Sequence, residues 1–204
     1  MRAHQFASSL DCVKRLLWRG QQAAQLVEFA VSLPLLVVFV VGIFDFSGAF
    51  TLKQKLTNVA RDAARAAAAD PASDLGNALP LSVSDAFQVV DNYLLANQIS
   101  DCGMSSTMTS SGLTWQYSVA PGHGSSCGIT LIINRGYYFP ITGAATPSVT
   151  CASQNAGAQT AVIGTCVSIQ YSYPWRFGRV ASLLGPKISL PTQISAIAVT
   201  LNEN

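Results

Sequence analysis

The 204-residue sequence offers few side chains that could perform catalysis. It has only two histidines, and His123 lies beside Ser125, Ser126 and Cys127 in the string PGHGSSCG. Residues so close together on a glycine-rich loop do not form a catalytic triad, and no acid is placed to orient the histidine. The sequence also lacks GxSxG spacing, a phosphate loop and a carboxylate pair for acid–base work. We therefore predict that the chain is not an enzyme; an exported hydrolase using His123 is the weaker alternative.

The five cysteines indicate disulfide chemistry instead. Cys12 precedes a long apolar segment, and the other four follow it: Cys102, Cys127, Cys151 and Cys166. An even set on one side of such a segment is typical of an oxidising compartment. Of the three pairings we favour Cys102 with Cys127 and Cys151 with Cys166, because each pair closes a short loop rich in Gly, Ser and Thr. Four free thiols are the alternative. Without a CxxC pair or clustered histidines, no metal or cofactor is expected.

Residues 26–50 form the apolar segment, LVEFAVSLPLLVVFVVGIFDFSGAF. At about 1.5 Å per residue it is long enough to cross a hydrocarbon core of about 30 Å. Its charges are confined to Glu28 near the start and Asp45 near the end, and carboxylates in a membrane usually have a partner or a task. A secretory signal cleaved at residues 47–49 is the alternative, although the helical pattern continues beyond that point.

We predict that this helix extends from the membrane as a stalk and ends at Ala69, because Asp70 precedes a proline. An apolar stripe recurs along the stalk at spacings of four and three: Leu52, Leu56, Val59, Ala63 and Ala66. Pro34 should kink the helix, since it removes one backbone hydrogen bond. The stripe either packs against helices of other subunits or lies on the chain's own head, and the pattern leaves both open.

The following residues have the pattern of an antiparallel α+β domain. A second helix is predicted from an N-cap at Ser82 or Ser84 to about Gln98, packed on a sheet. Period-two alternation then predicts strands at residues 113–120, 129–134, 162–175 and 194–201. The clean alternation in residues 167–173 predicts one covered and one wet face. Residues 100–111 and 143–159 are predicted loops, and the aromatic residues at 137–139 and 171–175 are expected mainly in the core.

Charge and cysteine placement suggest how the chain is organised. Only 11% of residues are charged and the formal net charge is +2, so a nucleic acid is not an expected partner. We predict a cytoplasmic tail or leader at residues 1–23, a transmembrane helix and stalk at 24–70, and an exported α+β domain with disulfides at 71–204. Basic residues flank the span on both sides, so the orientation rests on the cysteines.

Three N-terminal segments resemble the TadE-like pseudopilin family, which serves assembly of tight-adherence pili. They are VEFAVSLPLL, GIFDFSGAF and LTNVARDAARAAA. The positions that match the family signature are Glu28, Phe29, Pro34, Asp45, Phe46, Asn58, Arg61 and Arg65. Near the C-terminus, VSIQYSYPWR and ISAIAVTLNE resemble the Tyr-Pro strand and final strand of the family. The resemblance is strong over residues 20–69, fair over 162–203 and absent between them.

The resemblance implies a pilin-like head and cleavage by a prepilin peptidase, after which the glutamate is the fifth residue and neutralises the N-terminal amine of a neighbouring subunit. This sequence departs from that pattern. Cleavage after Gly20 would make Glu28 the eighth residue, whereas fifth place requires cleavage after Ala23. Both sites, and an uncleaved anchor, stay open.

We therefore predict a minor pilin-like protein of the bacterial inner membrane, single-pass, with a cytoplasmic N-terminus and the C-terminal domain in the periplasm or outside. It would act through helix packing, with Glu28, Phe29, Pro34 and Asp45 setting membrane register. Asn58, Arg61 and Arg65 belong to the stalk. Expected partners are the membrane, pilin and other pseudopilin subunits or the assembly platform, and a prepilin peptidase. The alternative is a signal-anchored periplasmic binding module unrelated to pili, with a ligand on the aromatic strands.

Overall fold

A computed structural model describes residues 4–121, 127–140, 147–152, 161–176 and 190–203; side chains before residue 24, and those of residues 106, 139, 140, 161 and 162, lie outside the description. The main elements are helix α1 (His4–Ala69), helix α2 (Leu81–Ala96), and strands β1 (Met108–Ser111), β2 (Thr114–Val119), β3 (Ile129–Pro140), β4 (Ala161–Ser172) and β5 (Gln193–Leu201). Short 3₁₀ turns follow α1 at Ala72–Asp74 and precede β1 at Met104–Ser106. The fold class is α+β with a long apolar N-terminal helix, as predicted.

Helix α1 is one element of 66 residues, about 100 Å long at the usual rise. It ends at Ala69, directly before Asp70 and Pro71, as the sequence predicts. Its start was predicted wrongly, because the backbone is already helical from His4. The helix continues through Pro34, and the kink there stays a prediction.

The stretch Ala24–Ala69 is long and apolar enough to cross a membrane, with a mean hydropathy of 2.6 in its most apolar window. None of that window is buried inside the protein. Large side chains in it face outward, among them Phe44 at 75% exposure and Val31 at 71%. Leaving apolar surface in water costs about 25 cal/mol per Å². A single-pass membrane protein has no such penalty, because lipid covers these side chains.

Helix α2 packs mainly on α1, whereas we expected it to lie on the sheet. It reaches the sheet through Phe87, whose ring centroid lies 4.5 Å from that of Tyr117. The predicted serine cap is also wrong, since α2 begins after Pro80 and Ser82 is buried. The Asp74 carboxylate accepts a hydrogen bond from the Leu81 N–H at 2.6 Å, which satisfies one of the free donors of the first turn.

The sheet is an antiparallel meander in the order β1-β2-β3-β4-β5. Strand β1 lies in a segment predicted to be a loop, because its sequence MTSS has no apolar alternation. Strand β3 runs to Pro140, six residues beyond its predicted end, with a register shift between Asn134 and Tyr137. Strand β4 stops at Ser172, three residues before its predicted end. Pro174 and Pro191 lie just outside β4 and β5, because a proline cannot donate to a ladder.

One face of the sheet packs against the outer half of α1. The helix contributes small and medium side chains, fully buried, to this core: Leu56, Val59, Ala60, Ala63, Ala64 and Ala67. They meet Leu131, Val167 and Ile169 of the central strands. The apolar stripe of the stalk therefore lies on the chain's own head.

The opposite face of the sheet is covered in part, contrary to the expectation of a wet face. Residues 147–152 cross it, and Cys151 packs there with Ile132, Tyr137 and Cys166. Ser168 is buried and donates to the backbone oxygen of Val149 at 2.7 Å. Polar residues of the alternating pattern therefore form hydrogen bonds to the covering segment, as Ser168 does, and this face is only partly open to water.

Candidate functional site at the junction of helix and head

The head contacts the outer end of the apolar helix segment at a small junction. The hydroxyl of Tyr173 donates to Asp45, lying 3.1 Å from its backbone oxygen and 3.3 Å from its carboxylate Oδ1. The rings of Phe46 and Trp175 have centroids 5.3 Å apart. Asp45 is 6% exposed. The junction therefore joins the acid–Phe pair of the helix to the Tyr-Pro-Trp segment after β4.

Local sequence explains this approach. Strand β4 stops at Ser172, and Tyr173 then donates its N–H to the Thr192 carbonyl at 3.1 Å. The Trp175 indole donates to the Pro191 carbonyl, which holds the ring over α1. On the helix side Gly48 leaves room, because a Cβ at that position would lie 2.8 Å from the Tyr173 hydroxyl. Any larger residue at this position would require the Tyr173 side chain to shift.

The electrostatics keep Tyr173 a hydrogen-bond donor. Partial burial raises the pKa of its hydroxyl above the usual value, the Asp45 carboxylate raises it further, and Arg176 opposes them. A protonated phenol donates a hydrogen bond to the buried Asp45, and a buried polar group is stabilised by each such bond. The role of Asp45 in membrane register stays a prediction, and its bond to Tyr173 gives it a contact within the chain as well.

An open apolar groove of about 1240 Å³ runs beside the junction. It extends along α1 from Val31 to Lys53 and is bounded on the head by Trp175, Pro191 and Ile194. Among the described residues that line it, Lys53 alone is ionisable, and its ammonium group donates to the Ser195 carbonyl. Such a lining suits an apolar partner at membrane depth.

Glu28 lies on the exposed surface of the same apolar helix. Within the described part of the chain its carboxylate makes no hydrogen bond or ion pair. Phe29 beside it is 62% exposed, and Pro34 lines the groove. The three positions that match the start of the family signature therefore face outward. The stalk residues Asn58, Arg61 and Arg65 are exposed as well.

A buried arginine at the far end of the head escaped the sequence analysis. Arg135 is 1% exposed; it donates to the Thr165 hydroxyl at 2.8 Å, to the Asn202 side-chain oxygen at 3.2 Å and to the Asp70 carbonyl at 2.9 Å. Burial lowers the pKa of its guanidinium, and Asp70 partly opposes this. The arginine ties the C-terminal end of α1, where a cation is favoured, to β4 and the chain end. A charge inside the apolar run IINRGYY was the available signal.

The cysteines following the apolar segment are joined as favoured from the sequence. Disulfides link Cys102 to Cys127 and Cys151 to Cys166, each with Cα atoms 5.7 Å apart. Across the described ranges there is no cluster of three or more His, Cys, Asp or Glu residues that could hold a metal ion.

Several other predicted positions stay untested. Gly20 and Ala23 lie within the helical backbone of α1, with their side chains outside the description, so cleavage stays a prediction. His123, Ser125 and Ser126 lie outside the described residues.

The aromatic residues of segments 137–139 and 171–175 differ in how deeply they are buried. Tyr137 is buried and Tyr138 is 42% exposed, whereas the Phe139 side chain is not among those described. Tyr173 and Trp175 are partly buried and belong to the junction with α1. The segment 171–175 thus serves packing, as expected.

An α+β head on one helix long and apolar enough to cross a membrane fits a single-pass membrane protein. In comparison with known families, the model described as TadE-like protein matches residues 23–65. The match covers the apolar helix and most of the stalk and confirms the resemblance of this segment, which suggests a pilus-associated, pseudopilin-like role. The comparisons with curated proteins and with solved structures gave no match.

Proposed function

We propose that this protein is a minor pilin-like subunit that takes part in assembly of tight-adherence pili and acts structurally, without catalysis. The observation that carries the proposal is Glu28, a carboxylate on a lipid-facing helix without a partner in the described chain. A charged group in the bilayer costs up to about 3 kcal/mol, less toward the ends of a span. A cation from another subunit, such as an N-terminal amine, would remove that cost.

The groove supports helix packing as the mode of association. From Val31 to Lys53 it follows α1 for roughly 33 Å, close to the thickness of a hydrocarbon core of about 30 Å. A neighbouring membrane helix fits this length better than a compact ligand does. Gly42 lines the groove and has nothing within 4 Å of where a Cβ would lie, so a neighbour can approach closely there.

The proposed location is the inner membrane of a bacterium, with the N-terminus in the cytoplasm and the head in the periplasm or within a fibre. Two disulfides in the head favour an oxidising compartment on that side. The proposed partners are pilin, other pseudopilins or the assembly platform, and a prepilin peptidase if the leader is removed.

Co-purification from membranes tests this function. We expect the tagged full-length protein to be recovered with pilin or the assembly platform. Glu28→Gln should lower that recovery several-fold without changing membrane insertion, whereas Asp62→Asn, which removes an exposed acid of the stalk, should have no effect. A protein that is never recovered with pilus components, and whose released head binds a small ligand, would instead be a periplasmic binding module.

A further inference from the structure

Helix α1 carries a polar ridge on the side turned away from the sheet. It consists of Gln54, Asn58, Arg61 and Arg65, all exposed, and we call it the basic ridge. Spacings of four and three residues keep these side chains on one face, opposite the buried stripe. The packing of the head therefore makes no use of this face.

The two arginines of the ridge are held together at a cost. Like charges four residues apart on a helix repel each other, and within the described chain neither Arg61 nor Arg65 forms an ion pair. Asp62, which is exposed and three residues before Arg65, offsets only part of this repulsion, because it carries one negative charge beside two positive ones. Local conflicts of this kind are expected where a surface serves recognition.

The membrane-distal end of the head has the opposite charge. Asp70, Asp74 and Asp85 lie near one another there, and their mutual repulsion, added to burial, raises the pKa of Asp70. Glu203 joins them, since its N–H donates to the Ala68 carbonyl. The cation that faces this group is the buried Arg135. We call the four acids the acidic end.

We propose that the basic ridge of one copy binds the acidic end of a second copy displaced along the helix axis. This inference rests on the proposed assembly role. Seven residues separate the middle of the Arg61–Arg65 pair from Asp70, so the displacement is roughly 10 Å. A contact between two different surfaces leaves one of each surface free and is compatible with an open assembly, whereas contact between identical surfaces closes a dimer.

Membrane lipid is the wrong occupant for this ridge. Arg61 lies eleven residues beyond Phe50, or roughly 16 Å along the helix, whereas the headgroup region adds only about 5–8 Å on each side of the hydrocarbon core. A protein surface of opposite charge at the same distance from the membrane is the better binding partner for the basic ridge. The acidic end of a displaced copy is such a surface.

Cross-linking between two differently tagged full-length copies tests the proposal. Both carry Cys12→Ser, so that the native cysteines that remain are in disulfides. One copy carries Asn58→Cys on the ridge, and the other carries Gln88→Cys, exposed on α2 one turn beyond Asp85. These changes leave every charge in place. A short bismaleimide is then added to isolated membranes.

We expect cross-linking of Asn58→Cys copies to Gln88→Cys copies and none between two copies of the same variant. Arg61→Glu together with Arg65→Glu in the first copy should lower the yield about tenfold, and Asp85→Arg in the second should restore it. Restoration would also demonstrate that the reversed arginines did not unfold the head.

Three outcomes overturn the proposal: no cross-link, cross-links between identical variants, or a yield that ignores the charge reversal. Co-purification of the wild-type protein with pilin or the platform separates the two hypotheses. If it persists when cross-linking fails, only the contact between copies is wrong. If both fail, the assembly role is wrong as well.

Discussion

The Tyr173 hydroxyl donates to Asp45, a residue 128 positions earlier, and lies 3.3 Å from its carboxylate. The bond joins the end of β4 to the outer end of the apolar helix segment. Two motifs that are far apart in the sequence therefore form one structural joint. The height of the head above the membrane follows from it, since the same helix residue belongs to the span and to the joint.

Removing this bond should loosen the head from the helix. Tyr173→Phe removes one hydrogen bond to the Asp45 carboxylate, and a hydrogen bond to a charged group contributes about 1.5–3 kcal/mol. We expect the free energy of unfolding in detergent to fall by that amount. Tyr93→Phe is the matched control, because no hydrogen bond of the Tyr93 hydroxyl occurs within the described residues. Equal stability of the two variants would contradict the assignment.

Gly48 is predicted to stabilise the joint by leaving room for the Tyr173 hydroxyl. Alanine there brings a Cβ within 2.8 Å of the Tyr173 hydroxyl, and overpacking of this kind costs about 1–3 kcal/mol. Gly42→Ala gains the same helix propensity and meets nothing within 4 Å. Thermal unfolding should therefore rank Gly42→Ala above Gly48→Ala. Adding Tyr173→Phe to Gly48→Ala should relieve part of the loss, and strict additivity would argue against the contact.

We predict that lysine cannot replace Arg135 without loss of stability. Lysine cannot reach three acceptors on different segments at once, and loss of a charged hydrogen bond costs about 1.5–3 kcal/mol. Arg135→Lys is therefore expected to destabilise the head and to speed amide hydrogen exchange at residues 199–203. Arg61→Lys, on the exposed ridge, should change stability by less than about 0.5 kcal/mol. Unchanged exchange in Arg135→Lys would be the contrary result.

Asp91 is half-buried, with its Oδ1 atom out of contact with solvent, and we predict that its replacement by Asn raises stability in a pH-dependent way. Burial, and then Asp101, raise the pKa of Asp91, and its Oδ1 has no hydrogen-bond partner within the described residues. Folding thus favours the protonated form, and that contribution is complete below the unfolded pKa of about 3.9 and is lost as the pH rises through the folded pKa. At neutral pH Asp91→Asn should therefore have a higher Tm than the wild type.

The same gain should shrink on acidification and vanish below the unfolded pKa. Melting curves at a series of pH values between about 3 and 7 measure it. Asp62→Asn, at an exposed site on α1, provides the comparison. A gain at Asp91 that did not depend on pH would have another cause.

The two disulfides should differ in their resistance to reductant. Cys151 and Cys166 are fully buried, whereas Cys102 and Cys127 are partly accessible. Thiol–disulfide exchange needs access to sulfur, so Cys102–Cys127 should open first. Maleimide mass tagging during a dithiothreitol series follows the order. Simultaneous opening of the two disulfides would imply that the packing around Cys151 does not protect it from reductant.

Loss of the buried disulfide should also be the more disruptive locally. Closing loops of 15 and 25 residues stabilises a fold by a similar amount, about 3 kcal/mol each, so the difference comes from the burial of Cys151 and Cys166 in a core cluster. Replacing Cys151 and Cys166 together with Ser is expected to expose Ile132 and Tyr137. Increased binding of a hydrophobic dye in that variant, and not in the corresponding Cys102 and Cys127 variant, is the readout.

Local signals predicted the parts of the fold that local chemistry determines. The end of α1 at Ala69 follows from a proline two residues later, and β5 begins one residue before its predicted start. Alternation located four of the five strands. Strand β1 was missed because its four residues are extended only through pairing with β2, which no property of MTSS reveals.

The remaining features depend on contacts distant in the chain. Cysteine spacing favoured the disulfide between Cys151 and Cys166, yet it gave no indication that the loop would cover the outer face and bond to Ser168. Asp45 and Tyr173 both stood out as parts of motifs, but their contact joins residues at opposite ends of the chain. The cap of α2 likewise comes from outside the helix, because the Asp74 carboxylate, seven residues before Leu81, accepts its N–H.

Because α1 runs without interruption from His4 to Ala69, the chain has no swivel between bilayer and head. Any tilt or torque applied to the lipid-embedded half acts as on a lever, and Arg135 clamps the other end of that lever. A force that draws the membrane span along its axis would therefore displace the head by the same distance, because one continuous helix joins them.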